Sequence, residues 1–265
     1  QAHKNVAIDA IENNYERVLV FEDDISFTNS FVDTFEYKLY ELSEFLNHVQ
    51  YWEYFYFCYN ANAIKRLQNP RFDTSGTMIV AKTDVAHFRL VEMFAAHDLD
   101  RRYQALVWGT SIKGGGIIDQ PIGRASFDRK RQAITTKGRN AITFWQILRQ
   151  FPPFGSHIEC RLETGRTHQI RVHLAHIGHG VIGDPLYGRA PRAAQMPDNF
   201  ARNGLSQMRK FGRQALHAAY LGFSHPVTGE ALSFETPLPA DMAALLALIE
   251  GTVSARARGE TGVTG

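Results

Sequence analysis

The residues of this chain best placed to act together chemically lie in the run Glu163-Thr-Gly-Arg-Thr-His-Gln-Ile-Arg-Val-His-Leu174. Arg166 and Arg171 stand five apart around the start of a candidate helix, whose first N–H groups have no intrahelical partners and favour an anion. Two guanidiniums there could hold a phosphate or a carboxylate; ordinary surface salt bridges would use the same residues. His168, His173, His176 and His179 are dense enough to raise zinc, with His176 and His179 neighbours at helical spacing and His173 able to join them. No cysteine or carboxylate stands at ligand spacing, so no metal is assigned to them. A separate acidic group, Glu22-Asp23-Asp24, follows the apolar run Arg17-Val-Leu-Val-Phe21. Carboxylates at a strand end can bind a divalent cation, which makes Asp23 and Asp24 candidate ligands with Glu22 beside them. A solvated acidic turn is the plainer alternative. The third group is basic: Arg124, Arg129, Lys130, Arg131, Lys137 and Arg139 form either a solvated face or a loop that contacts phosphates.

These groups must be carried by the elements that the hydrophobic pattern implies. Arg17–Phe21 reads as a buried strand, Ser30–Val49 as a helix with Phe31, Phe35, Leu39, Leu42, Phe45 and Leu46 on one face, and Tyr51–Tyr59 as an aromatic strand. The character changes near Asn69-Pro70. Thr77–Ala81 reads as a strand, Asp84 to Ala96 as a helix, and Arg102–Trp108 as a half-buried strand. Gly114–Gly116 reads as a turn. Strands follow at Ala141–Leu148 and His157–Glu163. Thr167 is expected to cap a helix on which Ile170, Leu174 and Ile177 recur, with Gly178 as its stop. Ala218–Phe223 and Ala231–Phe234 form a hairpin around His225–Gly229, and Asp241–Glu250 is a closing helix. The tail from Gly251 is small, polar and basic, and disorder is expected there.

The bulk numbers exclude some classes. At 265 residues the chain fits one large domain or two small ones, and 44% hydrophobic with 21% charged residues is ordinary for a globular protein. A net charge of +2 does not itself announce nucleic acid, so any such partner rests on where the charges cluster. No apolar run approaches a membrane span, and no signal peptide is visible. The two cysteines, Cys58 and Cys160, suggest neither a disulfide framework nor a metal site; a reducing cytoplasm is the expected location. The chain opens at Gln1 without methionine and is read as a possible fragment.

As a whole, the Glu163–Leu174 run resembles the signature of the RluA-type RNA pseudouridine synthases, Gly-Arg-Thr/Ser-His-Gln-Ile/Leu-Arg-Val-His, followed by Gly178-His179 and by Gly183-Asp-Pro-Leu-Tyr-Gly188. Other family-like pieces stand in order: Asp73–Gly76 with Ala81–Thr83, Arg102-Tyr103-Gln-Ala-Leu106, Pro121–Gly123, Leu216–Ala218 and His225-Pro226. The resemblance covers about residues 70–248. It implies isomerisation of uridine to pseudouridine in structured RNA, ribosomal RNA in the first instance, with no metal or organic cofactor. In that chemistry a carboxylate nucleophile attacks sugar or base and then leaves. The uridine is flipped out of its stack, an arginine keeps the aspartate ionised, and an aromatic ring supports the base. Carried over by motif, Arg171 pairs with the catalytic aspartate and Tyr103 is the active-site tyrosine. Arg166 and His168 then face the RNA together with Arg124, Arg129, Lys130 and Arg131.

The aspartate admits three alignments. The family pattern is His-Arg-Leu-Asp-x-x-Thr-Ser-Gly, and here the residues are Pro70-Arg-Phe-Asp73-Thr-Ser-Gly76. Ungapped, Arg71 takes the nucleophile position and the site is dead. With two residues deleted, Asp73 is the nucleophile. In the third alignment Asp73 is only the non-catalytic acid found before Thr-Ser-Gly. Upstream, Ala2-His3 with Glu12–Asp24 resembles the Ser-His and Glu-Asp-Asp region of the family 25 (lipopolysaccharide-type) glycosyltransferases, over about residues 1–60.

The sequence thus describes a chimeric chain: a glycosyltransferase-like α/β fragment (1–68), a pseudouridine synthase-like core (69–250) and a disordered tail (251–265). The expected fold is α+β, a mixed, largely antiparallel sheet with flanking helices, incomplete at its N-terminal side. Three functions compete: an active synthase, an inactive RNA-binding remnant, and a metal-dependent glycosyltransferase fragment.

Overall fold

The computed structural model describes residues 54–56, 75–77, 79–81, 84–110, 114–126, 128 and 131–259. The chain order is β1 (Tyr54–Tyr56), β2 (Ser75–Gly76), β3 (Ile79–Ala81), α1 (Asp84–Ala96), β4 (Asp100–Trp108), β5 (Gly115–Asp119), β6 (Ile122–Arg124), β7 (Gln132–Ile134), β8 (Ile142–Phe151) and β9 (Gly155–Leu162). Then come α2 (Gln169–His176), α3 (Asn199–Met208), β10 (Leu216–Ser224), β11 (Ala231–Glu235) and α4 (Ala240–Ala257). The main sheet runs β11-β10-β4-β9-β8-β5 with every neighbouring pair antiparallel; β2 joins β10 in parallel. β6 pairs with β7 in a separate small hairpin, and β1 pairs with β3 in a two-stranded antiparallel sheet. The fold is therefore the expected α+β type, with a largely antiparallel sheet and flanking helices.

The register puts Tyr103 opposite Cys160 on one side and Ala218 on the other, and Ala105 opposite Ile158 and Leu216. Residues opposite one another share a face, so these side chains form one floor. Ile170 and Leu174 of α2 belong to the same buried cluster. The cluster also takes in Leu205 and Met208 of α3 and Met242, Leu245 and Ile249 of α4. A smaller cluster, Ala86, Leu90, Leu99, Leu221 and Phe223, seats α1 against the β10–β11 end.

Several elements depart from the sequence reading. Gly115 and Gly116 are not turn residues but open β5, paired with Gln146 and Trp145; strand pairing prevails over the poor strand preference of glycine. The hairpin β6–β7 and helix α3 were not foreseen. Thr167 does not cap α2; the residue before the helix is His168, in the left-handed conformation at φ 58 and with no side-chain cap. Gly178 does end it, with φ 87.

The closing helix runs to Ala257 instead of Glu250, so residues 251–257 are helix, not tail. Thr252 is buried, and its hydroxyl bonds the Leu248 carbonyl at 2.7 Å. Val253 packs on the main core, and Arg256 pairs with the N-cap Asp198 of α3 at 2.7 Å. These contacts hold the last two turns. Ending the chain after Glu250 should lower the melting temperature by several degrees, consistent with about 1–3 kcal/mol of lost packing. Equal thermal unfolding of the two forms would show that these turns contribute nothing.

Candidate active site

Helix α2 is short, and every residue from Gln169 to Leu174 is buried. Ile170 and Leu174 face the sheet. The polar residues between them each find specific partners, because an unpaired polar group here would cost about 1–3 kcal/mol. The Gln169 amide accepts from the Thr164 hydroxyl at 2.8 Å and the Arg166 N–H at 2.9 Å, and donates to the Ile142 carbonyl and the Thr143 hydroxyl, both at 2.9 Å. His173 meets the Thr143 hydroxyl at 2.9 Å and the Gln120 carbonyl at 3.0 Å. A carbonyl can only accept, so Nε2 carries the proton and Nδ1 accepts from Thr143. Burial lowers the His173 pKa, against the opposing pull of the Gln120 hydrogen bond.

Arg171 is 1% exposed. Its Nε and Nη2 donate to the two carboxylate oxygens of Asp184, each at 2.8 Å, and that residue is equally sequestered. Asp184 Oδ1 also accepts the Leu186 N–H at 2.8 Å and the Tyr187 N–H at 3.1 Å. Burial pushes the Asp184 carboxyl up, but Arg171 and the two backbone donors outweigh it and hold the pKa below the ordinary value. The Arg171 guanidinium carbon lies 5.1 Å from the centre of the Tyr187 ring, a cation–π contact that covers one face of the cation.

The loop holding Asp184 is stitched to the sheet. The Trp108 N–H donates to Gly180, the Ile182 N–H to Leu106 and the Ala215 N–H to Ile182, at 2.8–2.9 Å. Gly183 has φ 76, and a Cβ there would lie 2.0 Å from the Arg213 carbonyl oxygen, so only glycine allows the loop to pass this close.

A second network secures β2. The Ser75 hydroxyl lies 3.1 Å from His217 Nδ1 and receives Arg213 Nη2 at 3.3 Å. His217 Nε2 faces the Thr236 carbonyl at 3.2 Å, and Arg213 is clamped by both carboxylate oxygens of Asp241 at 2.7 and 2.8 Å. The direction of the chain of bonds follows. Nε2–H donates to Thr236, Ser75 donates to Nδ1, and Arg213 donates to Ser75. Burial lowers the His217 pKa, in keeping with a neutral ring.

The residues singled out from sequence are now placed as follows. Tyr103 is buried on β4, in the cluster that also takes in Ile170 and Leu174 of α2. Arg171 is on α2, and the carboxylate it grips among the described residues is Asp184. Arg166 precedes α2 and donates through Nε to the Asn140 carbonyl at 2.9 Å. His168 Nδ1 lies 2.9 Å from the Tyr187 hydroxyl. Arg124 ends β6, and Arg131, paired with Asp128 at 3.3 Å, directly precedes β7. Asp73, Arg129, Lys130, Asp23 and Asp24 lie outside the described residues. Asp184, Tyr187 and Gln169 received no role from sequence. A signal for the first was present: a buried arginine requires a carboxylate, and Asp184 is the acid in the quoted Gly183–Gly188 string.

Two solved structures have the same fold. Human RNA pseudouridylate synthase domain containing 1 gives a TM-score of 0.53 at 24% identity, over 83% of this chain and 78% of that one. Human RNA pseudouridylate synthase domain containing 4 gives 0.53 at 23% identity, over 69% and 74%. Residues 63–176 match the family model described as RNA pseudouridylate synthase. The ribosomal large subunit pseudouridine synthase D of Zymomonas mobilis is 45% identical over 180 residues, 67% of this chain and 53% of that protein. Its namesake from Escherichia coli K12 is 42% identical over 174 residues, 66% and 52%. The uncharacterised RNA pseudouridine synthase YlyB of Bacillus subtilis is 46% identical over 174 residues, again 66% and 52%. The chain thus spans about half the length of the curated relatives it matches.

The pair Arg171–Asp184 predicts a stability pattern. Asp184→Asn or Arg171→Met alone leaves a buried group uncompensated and should cost about 3–5 kcal/mol, whereas the double variant Arg171→Met/Asp184→Leu should be less destabilised than either. Stability should also fall with pH. The His217 and His173 pKa values are lowered from 6.5 and that of Asp184 from 3.8, so the unfolded chain binds protons first in each case. Stability is full above about 6.5 and declines progressively below it, through and beneath the carboxylate range. A melting temperature that stayed flat between about pH 7 and pH 4 would contradict this.

Proposed function

We propose that this chain is an RNA pseudouridine synthase, acting on uridine in ribosomal RNA without a metal or organic cofactor. The observation that carries the reading is the buried Arg171–Asp184 pair, whose arginine lies on the signature helix; Ile170 and Leu174 of that helix share a buried cluster with Tyr103. The relatives named for a ribosomal large subunit activity support it.

The reaction is an isomerisation. The C1′–N1 bond of uridine breaks, the base turns, C1′ bonds to C5, and the proton lost from C5 is balanced by one gained at N1. No oxidant or external group enters. The nucleophile in this reading is the Asp73 carboxylate, activated by charge. Arg171 suits the partner role. Its Nε and Nη2 edge is fixed by Asp184, so the orientation of the guanidinium is set before substrate arrives, and pre-organised charge costs no reorganisation at the moment of reaction. Tyr103, buried beside this region, is the tyrosine that the motif assigns to the site in this reading. Arg124, Arg129, Lys130 and Arg131 on and around the hairpin β6–β7, with Arg166 and His168 at the head of α2, contact phosphates.

A second reading has one observation in its favour: Asp184 already satisfies Arg171 electrostatically, so the pair is stable without a nucleophile. On that reading the chain binds RNA without turnover. The two are separated by incubating the protein with ribosomal RNA and measuring pseudouridine. The synthase reading predicts product that Asp73→Ala lowers by at least about a hundredfold. Background product from wild type and Asp73→Ala alike would leave only the binding reading. Both readings predict that RNA affinity falls as salt rises, and Arg124→Ala/Arg131→Ala should weaken binding and make the salt dependence shallower by about two contacts.

A further inference from the structure

The hairpin β6–β7 stands apart from the main sheet and has only a small core of its own, Ile122 with Ala141 and Val172, against which Ile134 and Tyr187 pack. The bonds Thr135 N–H to Pro121 and Ala125 N–H to Arg131 set the ladder. In an antiparallel pair hydrogen-bonded and non-hydrogen-bonded positions alternate, so the pair Arg124/Gln132 is non-bonded and the Gln132 N–H points away from β6. It points to the Tyr187 hydroxyl, at 2.7 Å.

That hydroxyl has a second partner. A backbone N–H can only donate, so the Tyr187 oxygen accepts from Gln132, and His168 Nδ1 lies within hydrogen-bond distance of the same hydroxyl at 2.9 Å. The two rings meet edge to face at 5.5 Å. The same tyrosine donates its backbone N–H to Asp184 and lays its ring on Arg171. One residue therefore touches the basic hairpin, the head of α2 and both members of the buried ion pair.

We propose that the Tyr187 hydroxyl is a positioning group that registers the basic hairpin on the Arg171–Asp184 pair, so that phosphate contact at the hairpin is transmitted to the pair. This rests on the synthase reading for its catalytic consequence, but not for the coupling itself. A shift of the Gln132 strand pulls on a hydroxyl whose ring is wedged against Arg171. A displacement of about 1 Å at a reacting group is enough to cost up to a hundredfold in rate.

Tyr187→Phe removes the hydroxyl and keeps the ring. With ribosomal RNA as substrate, kcat should fall about tenfold while KM and the RNA Kd stay within about twofold, because the phosphate-contacting charges are untouched. Gln132→Pro deletes the donor at the other end of the same contact without breaking the β6–β7 ladder, and should give the same kcat-specific loss. Amide exchange gives a readout independent of turnover. RNA should slow exchange at residues 184–188 in the wild type and not in either variant. Unchanged kcat in Tyr187→Phe, or a loss confined to Kd, would overturn the proposal. If the wild type makes no pseudouridine, the synthase reading fails and the exchange result alone decides: protection at 184–188 that persists in both variants would sink the coupling.

Discussion

Everything around the candidate site is arranged about one buried ion pair. Two charges removed from water are costly, and their attraction repays that cost only when the geometry is good and the remaining hydrogen-bonding capacity is used. Arg171 and Asp184 meet the first condition with two parallel bonds at 2.8 Å. The second is met on the acid side by the Leu186 and Tyr187 amides, while the Tyr187 ring lies over the guanidinium. Those contacts require the loop to return sharply after α2, which in turn requires the bonds from residues 180–182 to β4 and the close pass at Gly183.

The neighbouring polar groups follow a different rule. Gln169, Thr143, Thr164 and His173 are uncharged and saturate one another. They tie α2 to β8 without placing another charge near the pair, so the field at Arg171 is governed by its carboxylate partner. A helix of eight residues is too short to be stable alone; here its tertiary contacts hold it, and they leave it little freedom to tilt.

The legible part of the fold was the part with a strong period or a strong motif. The strand at Arg102–Trp108 alternates and the hairpin around His225–Gly229 has turn residues, so their placement held within a few residues, as did that of α1. Helix α3 carried a readable start in Asp198, which accepts the Ala201 N–H, and buries Ala201, Gly204, Leu205 and Met208 at helical spacing; its polar average concealed it. The three-residue strands β6 and β7 have no burial pattern strong enough to see. Arg171 and Tyr103 were singled out because a motif names them, and both are buried in the structure. Asp184 and Tyr187 were not, because their roles come from a loop folding back on a helix, a relation that no local spacing expresses.

The attachment of β2 has a consequence for how much variation the chain can absorb. Ser75 is fastened by a hydroxyl between His217 and Arg213, and Gly76 sits at φ 121, where a Cβ would lie 2.2 Å from the Ala218 oxygen. Neither position can trade places with its neighbour: slipping the strand by one residue would set a threonine or a glycine at the hydroxyl socket and a side chain where none fits. The junction is thus an indexing point. Insertions and deletions on its N-terminal side are measured from Ser75 outward, and none of their length can be taken up by sliding along β10.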